Sequence, residues 1–147
     1  MVEVNDKERK IDMIGIVIVT HGKFSTELLK SAELIIGKQE HIATLGLDHG
    51  DCVHQLQESV SEIIEDLDDG DGVLVLTDLF GGSPTNVTAA SMRYLQFQCI
   101  TGVNLPMLLE VLCSRGSCTL DELVNLAYKA GIDGIKNIGD ILNEKAQ

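Results

Sequence analysis

The strongest constraint on the fold is a repeated passage from a short apolar run into an amphipathic helical pattern. MIGIVIV (13–19) is a near-continuous apolar run, the mark of a strand buried on both faces. Helical spacing follows from Ser25 to Ile36, with Leu28, Leu29, Ala32 and Ile36 on one face and Gly37 as the stop signal. HIATLGL (41–47) leads into a second helix over 51–67. Its Val53, Leu56, Val60, Ile63, Ile64 and Leu67 keep the three-and-four spacing of a helix packed on a sheet. GVLVLTD (72–78) and FQCITGV (97–103) read as the third and fourth strands. A helix is expected to open at Ser83 as N-cap, with Pro84 at its first position, and another from Pro106. A further one starts at Thr119-Leu-Asp-Glu122, which spells a capping box, and ends before Gly131. GIKNI (134–138) reads as a short last strand.

Parallel strands must be joined by crossovers, and helical crossovers cover the sheet. The alternation therefore specifies an α/β fold, a doubly wound, mostly parallel sheet with helices on both faces. Residues 13–147 suit a single domain of ordinary size, preceded by a polar tail at 1–12.

A hydrophobic content of 44% with 23% charged residues is that of a globular chain, and no apolar run reaches the roughly 18 residues of a membrane span. The charged start lacks a signal-peptide pattern, so a cytoplasmic protein is expected, touching the membrane only through other components. A net charge of −12 argues against nucleic acid, whose backbone needs clustered Lys and Arg, and favours a basic protein partner. Cys52, Cys99, Cys113 and Cys118 show no C-x-x-C spacing and read as reduced, mostly structural thiols. His49, Cys52 and His54 offer metal-binding atoms, but their spacing fits no standard zinc pattern and a fourth ligand is not evident. No metal site is expected there, and the stretch reads as a loop entering a helix.

Ligands of open parallel sheets sit beyond the carboxyl ends of the strands, where the strand order reverses. His21 lies past the first strand, Asp78 closes the third, and Gly81-Gly82-Ser83 lead into the next helix. If strands one and three are neighbours, these residues share a crevice. Phosphoryl transfer would use each of them. Imidazole, with an ordinary pKa of about 6.5, offers a lone pair near neutrality. A carboxylate accepting from Nδ1–H fixes the tautomer and leaves Nε2 free to attack. Backbone N–H groups at Gly81, Gly82 and Ser83, with the Ser83 hydroxyl, can receive the phosphoryl oxygens at a helix N-terminus. Asn104 and Pro106 either line the crevice or shape a turn. No cofactor is called for.

Two other classes fit less well. A two-component receiver needs an acidic pair where this chain has Thr20-His21-Gly22, and no G-x-G-x-x-G or G-x-x-x-x-G-K-[ST] loop suits a nucleotide-binding module.

THG (20–22), TDLFGGSPTN (77–86) and GVNLPMLLE (102–110) follow the first, third and fourth strands. In this order they resemble the signature stretches of the mannose-family enzyme IIA component of the bacterial phosphoenolpyruvate-dependent sugar phosphotransferase system. The resemblance runs from Met13 through essentially the whole chain. It implies a phosphorylated histidine at His21, an orienting aspartate at Asp78 and a phosphate-contacting serine at Ser83. It also implies a phosphoryl donor, the phosphocarrier protein HPr, an acceptor IIB component, and a homodimer exchanging a C-terminal strand, for which GIKNI is placed. It leaves open a regulatory role, or delivery to a dihydroxyacetone kinase, without a sugar permease. Phe80 stands where tryptophan is frequent and Thr85 where a bulkier residue is common. Both departures are expected to bear on partner recognition rather than on the chemistry.

Overall fold

The structure, a computed structural model, describes residues 13–146, so the proposed tail at 1–12 lies outside the described residues. The elements run β1 (Gly15–His21), α1 (Phe24–Ile36), β2 (Ile42–Leu47), α2 (Val53–Leu67), β3 (Val73–Thr77), α3 (Ser83–Ser91), β4 (Gln98–Ile100), α4 (Leu105–Ser114), α5 (Leu120–Asp133) and α6 (Ile138–Lys145). The four strands form one parallel sheet in the order β2-β1-β3-β4. Strands one and three are neighbours, with Val17 paired to Val75 and Val19 to Thr77. The order reverses between them. No helix among the described residues is long and apolar enough to cross a membrane.

The apolar run of β1 divides by the strand's two-residue period. Ile14, Ile16 and Ile18 join Leu74 and Leu76 against Leu28 and Ala32 of α1, Leu108 and Val111 of α4, and Leu123 and Ala127 of α5. Val17 and Val19 join Val73 and Val75 against Leu56, Val60 and Ile64 of α2 and Val87 of α3. Both central strands are thus sandwiched. At about 1.5–3 kcal/mol for each fully buried Val, Ile or Leu, these two layers supply the main force that holds β1 beside β3.

Several boundaries differ from the sequence reading. The first strand runs two residues further than expected, so His21 is its last residue rather than a loop residue. Asp78 falls just beyond β3, and β4 is shortened to Gln98–Ile100, although the Val103 N–H still reaches the Thr77 carbonyl at 3.0 Å. The fifth helix passes through Gly131 instead of stopping before it. A side chain at that position would strike Met107 of α4, so this glycine serves helix-to-helix contact, not termination. The capping box forms as expected, with Thr119 Oγ1 accepting from Glu122 N at 3.3 Å and Glu122 Oε2 from Thr119 N at 3.0 Å.

GIKNI is not a strand within the described chain. Gly134 follows the last turn of α5, and Asn137 instead caps α6, its Oδ1 accepting from Asp140 N at 3.2 Å. Ile135 and Ile138 are exposed.

At the amino end of the sheet Arg115 is 3% exposed although no carboxylate among the described residues pairs with it. Burial lowers its pKa. Its guanidinium instead donates to the carbonyls of His41, at 2.9 Å, and Glu40, tying α4 to the α1–β2 connection. His41 lies there in the left-handed region at φ 56.

Candidate functional site

The turn after β1 is built around Thr20, a fully buried residue whose Oγ1 accepts from Ser25 N at 2.8 Å and donates to the His21 carbonyl at 3.1 Å. This hydroxyl joins the strand end to the first turn of α1. On the other side Gly22 N donates to the Leu47 carbonyl at 2.9 Å, continuing the β1–β2 ladder one residue past the strand. Gly46 has to be glycine for space, because a Cβ there would run into the Gly22 carbonyl oxygen. His21 is thereby fixed at the carboxyl edge of the sheet with its side chain half exposed.

Asp78 reaches across from the end of β3. Its Oδ2 accepts the His21 backbone N–H at 2.9 Å and lies 2.8 Å from His21 Nδ1. The carboxylate is largely buried, and its Oδ1 has no hydrogen-bond partner among the described residues. Burial pushes the Asp78 pKa up, but hydrogen bonds from the His21 backbone and ring, with the ring's charge and the aspartate's own N–H, outweigh it and leave the group below its ordinary value. Its contribution to stability is therefore present above the ordinary carboxylate pKa and fades as pH falls through the lowered one. An ionised carboxylate only accepts, so the network assigns the proton to Nδ1 and the lone pair to Nε2. Nε2 makes no hydrogen bond among the described residues.

The glycine-rich turn then closes over the ring. Gly81 has φ +82, a conformation that costs other residues energy, whereas Gly82 has an ordinary φ of −79 and is required for room. A Cβ on Gly82 would lie 2.8 Å from His21 Cε1. Gly82, not Ser83, occupies the N-cap position of α3, and Ser83 is the first helical residue, ahead of Pro84. The expected serine cap is absent because the Ser83 side chain makes no capping bond, and its hydroxyl is left toward the cavity. The Gly82 N–H is directed to the Leu79 carbonyl at 3.3 Å, which leaves Gly81, Ser83 and the Ser83 hydroxyl as the turn's donors.

Thr85 has a larger part than the sequence reading gave it. Its Oγ1 donates to the Leu79 carbonyl at 2.6 Å and sits 2.8 Å from Thr77 Oγ1 and 3.4 Å from Thr101 Oγ1. One hydroxyl thus braces the glycine turn against the ends of β3 and β4. Phe80 projects 85% exposed from the same turn. Asn104, by contrast, shapes a turn: its Oδ1 caps α4 through Met107 N at 3.0 Å and its Nδ2 donates to the Gly131 carbonyl at 2.9 Å. Pro106 packs beside Gly134 in the same helix pair.

His21, Gly22, Leu47, Asp48, His49 and Ser83 line an open cavity of about 360 Å³. Asp78 stands behind the imidazole. The structure places the sequence candidates His21, Asp78, Gly82 and Ser83 beside one another, with Gly81 in the same turn; sequence reasoning did not single out Gly46 or the threonine braces, and it read His49 as part of a loop entering a helix. Among the described residues no group of three His, Cys, Asp or Glu side chains is placed to hold a metal ion. The four cysteines are free, and burial pushes the Cys99 thiol up to about 11.

Parallel α/β domains of this architecture include the IIA components of sugar phosphotransferase systems. The phosphotransferase system component EIIA of Streptococcus agalactiae superposes with a TM-score of 0.80 at 34% identity, covering 87% of this chain and 99% of that one. The mannose/sorbose-specific IIA subunit of Enterococcus faecalis gives 0.75 at 27% identity, covering 86% and 95%. In sequence, residues 15–128 match the family described as the PTS system fructose IIA component, EIIA-man. The fructose-specific EIIA component of Bacillus subtilis is 35% identical over 114 residues, 77% of this chain and 78% of its own length. The mannose-specific EIIAB component of Escherichia coli K12 is 38% identical over 135 residues, 90% of this chain. The chain spans 42% of the length of that relative. The chain belongs to the mannose/fructose family of phosphotransferase-system IIA components.

The steric role of Gly82 is separable from its helix cap. Gly82→Ala is expected to leave the fold intact, because φ −79 suits alanine, while displacing the imidazole. NMR should show the His21 Nδ1 resonance moving away from its hydrogen-bonded position, whereas an unchanged ring environment would contradict the packing described.

Proposed function

We propose that the domain is a phosphohistidine carrier, with His21 taking a phosphoryl group from HPr and passing it to a IIB component for sugar uptake in the cytoplasm. The observation that carries this reading is the 2.8 Å contact of His21 Nδ1 with Asp78 at the point where the strand order reverses. In the forward step the Nε2 lone pair attacks phosphorus, and the P–N bond to the donor histidine breaks with its electron pair returning to the donor ring. The donor imidazole leaves neutral, and the His21 ring, keeping its Nδ1 proton, takes on positive charge. No proton is gained or lost overall. Asp78 stabilises that charged ring, much as a buried carboxylate holds an imidazolium in other catalytic sites. Gly81, Ser83 and the Ser83 hydroxyl offer donors to the phosphoryl oxygens at the start of α3.

Phe80, with Leu79 at 59% and Phe24 at 44% exposure, rims the site with apolar surface in an acidic molecule. Such an aromatic anchor beside a reactive group, with long-range attraction for a basic partner, suits rapid and reversible docking of a phosphocarrier.

Incubation with phosphoenolpyruvate, enzyme I and HPr is expected to label the protein in an acid-labile, alkali-stable linkage, as a P–N bond is. His21→Ala should carry no label, while Asp78→Asn should be labelled about 10²- to 10⁴-fold more slowly, the usual contribution of an acid–base or orienting group. Label on His21→Ala, or wild-type rates in Asp78→Asn, would overturn the assignment.

The proposal includes a homodimer built through the C-terminal segment, supported by the exposed Tyr128, Ile132, Ile135, Ile138 and Leu142 on α5, α6 and the link between them. Light scattering at micromolar concentration should give a dimer that is lost on truncation before Gly134. A monomer, or a dimer indifferent to the truncation, would count against it.

A further inference from the structure

A phosphoryl group brings close to two negative charges at neutral pH, and a site that holds it must offset them. Asp78 stabilises the ring, not the phosphoryl oxygens, and the donors on α3 are neutral. Among the described residues no Lys or Arg lines the cavity in front of His21, and Lys23, at the head of α1, is not among its walls. Besides His21, the described side chain there able to carry positive charge is His49, on the loop between β2 and α2. It is exposed, and its ring has no hydrogen-bond or ion-pair partner among the described residues. The loop itself is held, since Asp48 N donates to Asp51 Oδ2 at 2.8 Å and Gly50 makes the turn at φ 84.

We infer that His49 is the cationic ligand of the phosphoryl group carried by His21, donating from the β2–α2 side of the cavity opposite the Ser83 hydroxyl. The inference rests on His21 being the phosphorylated residue. His49 keeps its own proton and only donates a hydrogen bond, so the bonds made and broken are those of the carrier step. The titratable groups that share its cavity are Asp48 of its own loop and His21 of β1, with Asp78 behind the ring. On α2, His54 and Glu58 pair with each other at 3.5 Å.

The test compares wild type, His49→Gln and His49→Lys in phosphorylation by HPr, with 31P NMR of the phosphorylated proteins. His49→Gln is expected to be about tenfold slower than wild type, the loss of one charge-assisted hydrogen bond at a half-open site. His49→Lys, which keeps a cation at that position, should hold close to the wild-type rate, and the 31P resonance of the phosphorylated protein should move in His49→Gln. With His21 labelled, equal rates for wild type and His49→Gln, or an equal loss in His49→Lys, would overturn the inference alone. Absence of label from His21 in wild type would overturn the carrier reading with it.

Discussion

The site depends on β1 and β3 lying side by side. That adjacency brings His21 and Asp78, 57 residues apart, to 2.8 Å, and it is set by burial rather than by the contact itself. Ile16, Ile18, Leu74 and Leu76 pack on one face and Val17, Val19, Val73 and Val75 on the other, all fully buried. Several kcal/mol of apolar burial per pair of strand residues far exceed the about 1–3 kcal/mol of a charge-assisted hydrogen bond. The sheet therefore holds the pair in register, and the pair can be tuned for chemistry without carrying the fold.

The helices then divide the work. On one face α1, α4 and α5 build a tightly closed layer, with Gly131 bringing α4 and α5 into contact and Arg115 tying the far end through backbone carbonyls. On the other, α2 and α3 begin beside the site. His21 thus ends a strand and Ser83 begins a helix at the carboxyl edge of a rigid sheet, with His49 on the loop that leads into α2.

Much of this was legible in the sequence, for identifiable reasons. Residues buried on two faces leave an unbroken apolar run, so β1 and β3 declared themselves, and Thr119 and Glu122 marked a helix start that hydrogen bonds then complete. Local patterns could not reveal contacts made at a distance. Gly131 reads as a helix stop along the chain but faces Met107 of another helix, and Thr85 reads as a departure bearing on partner recognition but braces the glycine turn against Thr77 and Thr101. GIKNI carries the apolar content of a strand, yet its Asn137 caps a helix through a local side-chain bond that short apolar content does not reveal. His49 reads only as part of a loop entering a helix, since the folded loop alone sets it against the cavity of His21.

The central claim is that Asp78 holds the proton on Nδ1 and makes Nε2 the nucleophile. Phosphorylation of uniformly 15N-labelled protein through HPr, followed by observation of 31P–15N coupling in the His21 ring, tests it most directly. The geometry requires the phosphorus to be coupled to Nε2, with Nδ1 still protonated and hydrogen-bonded. Coupling to Nδ1 would place the phosphoryl group where Asp78 Oδ2 now sits and would contradict the account.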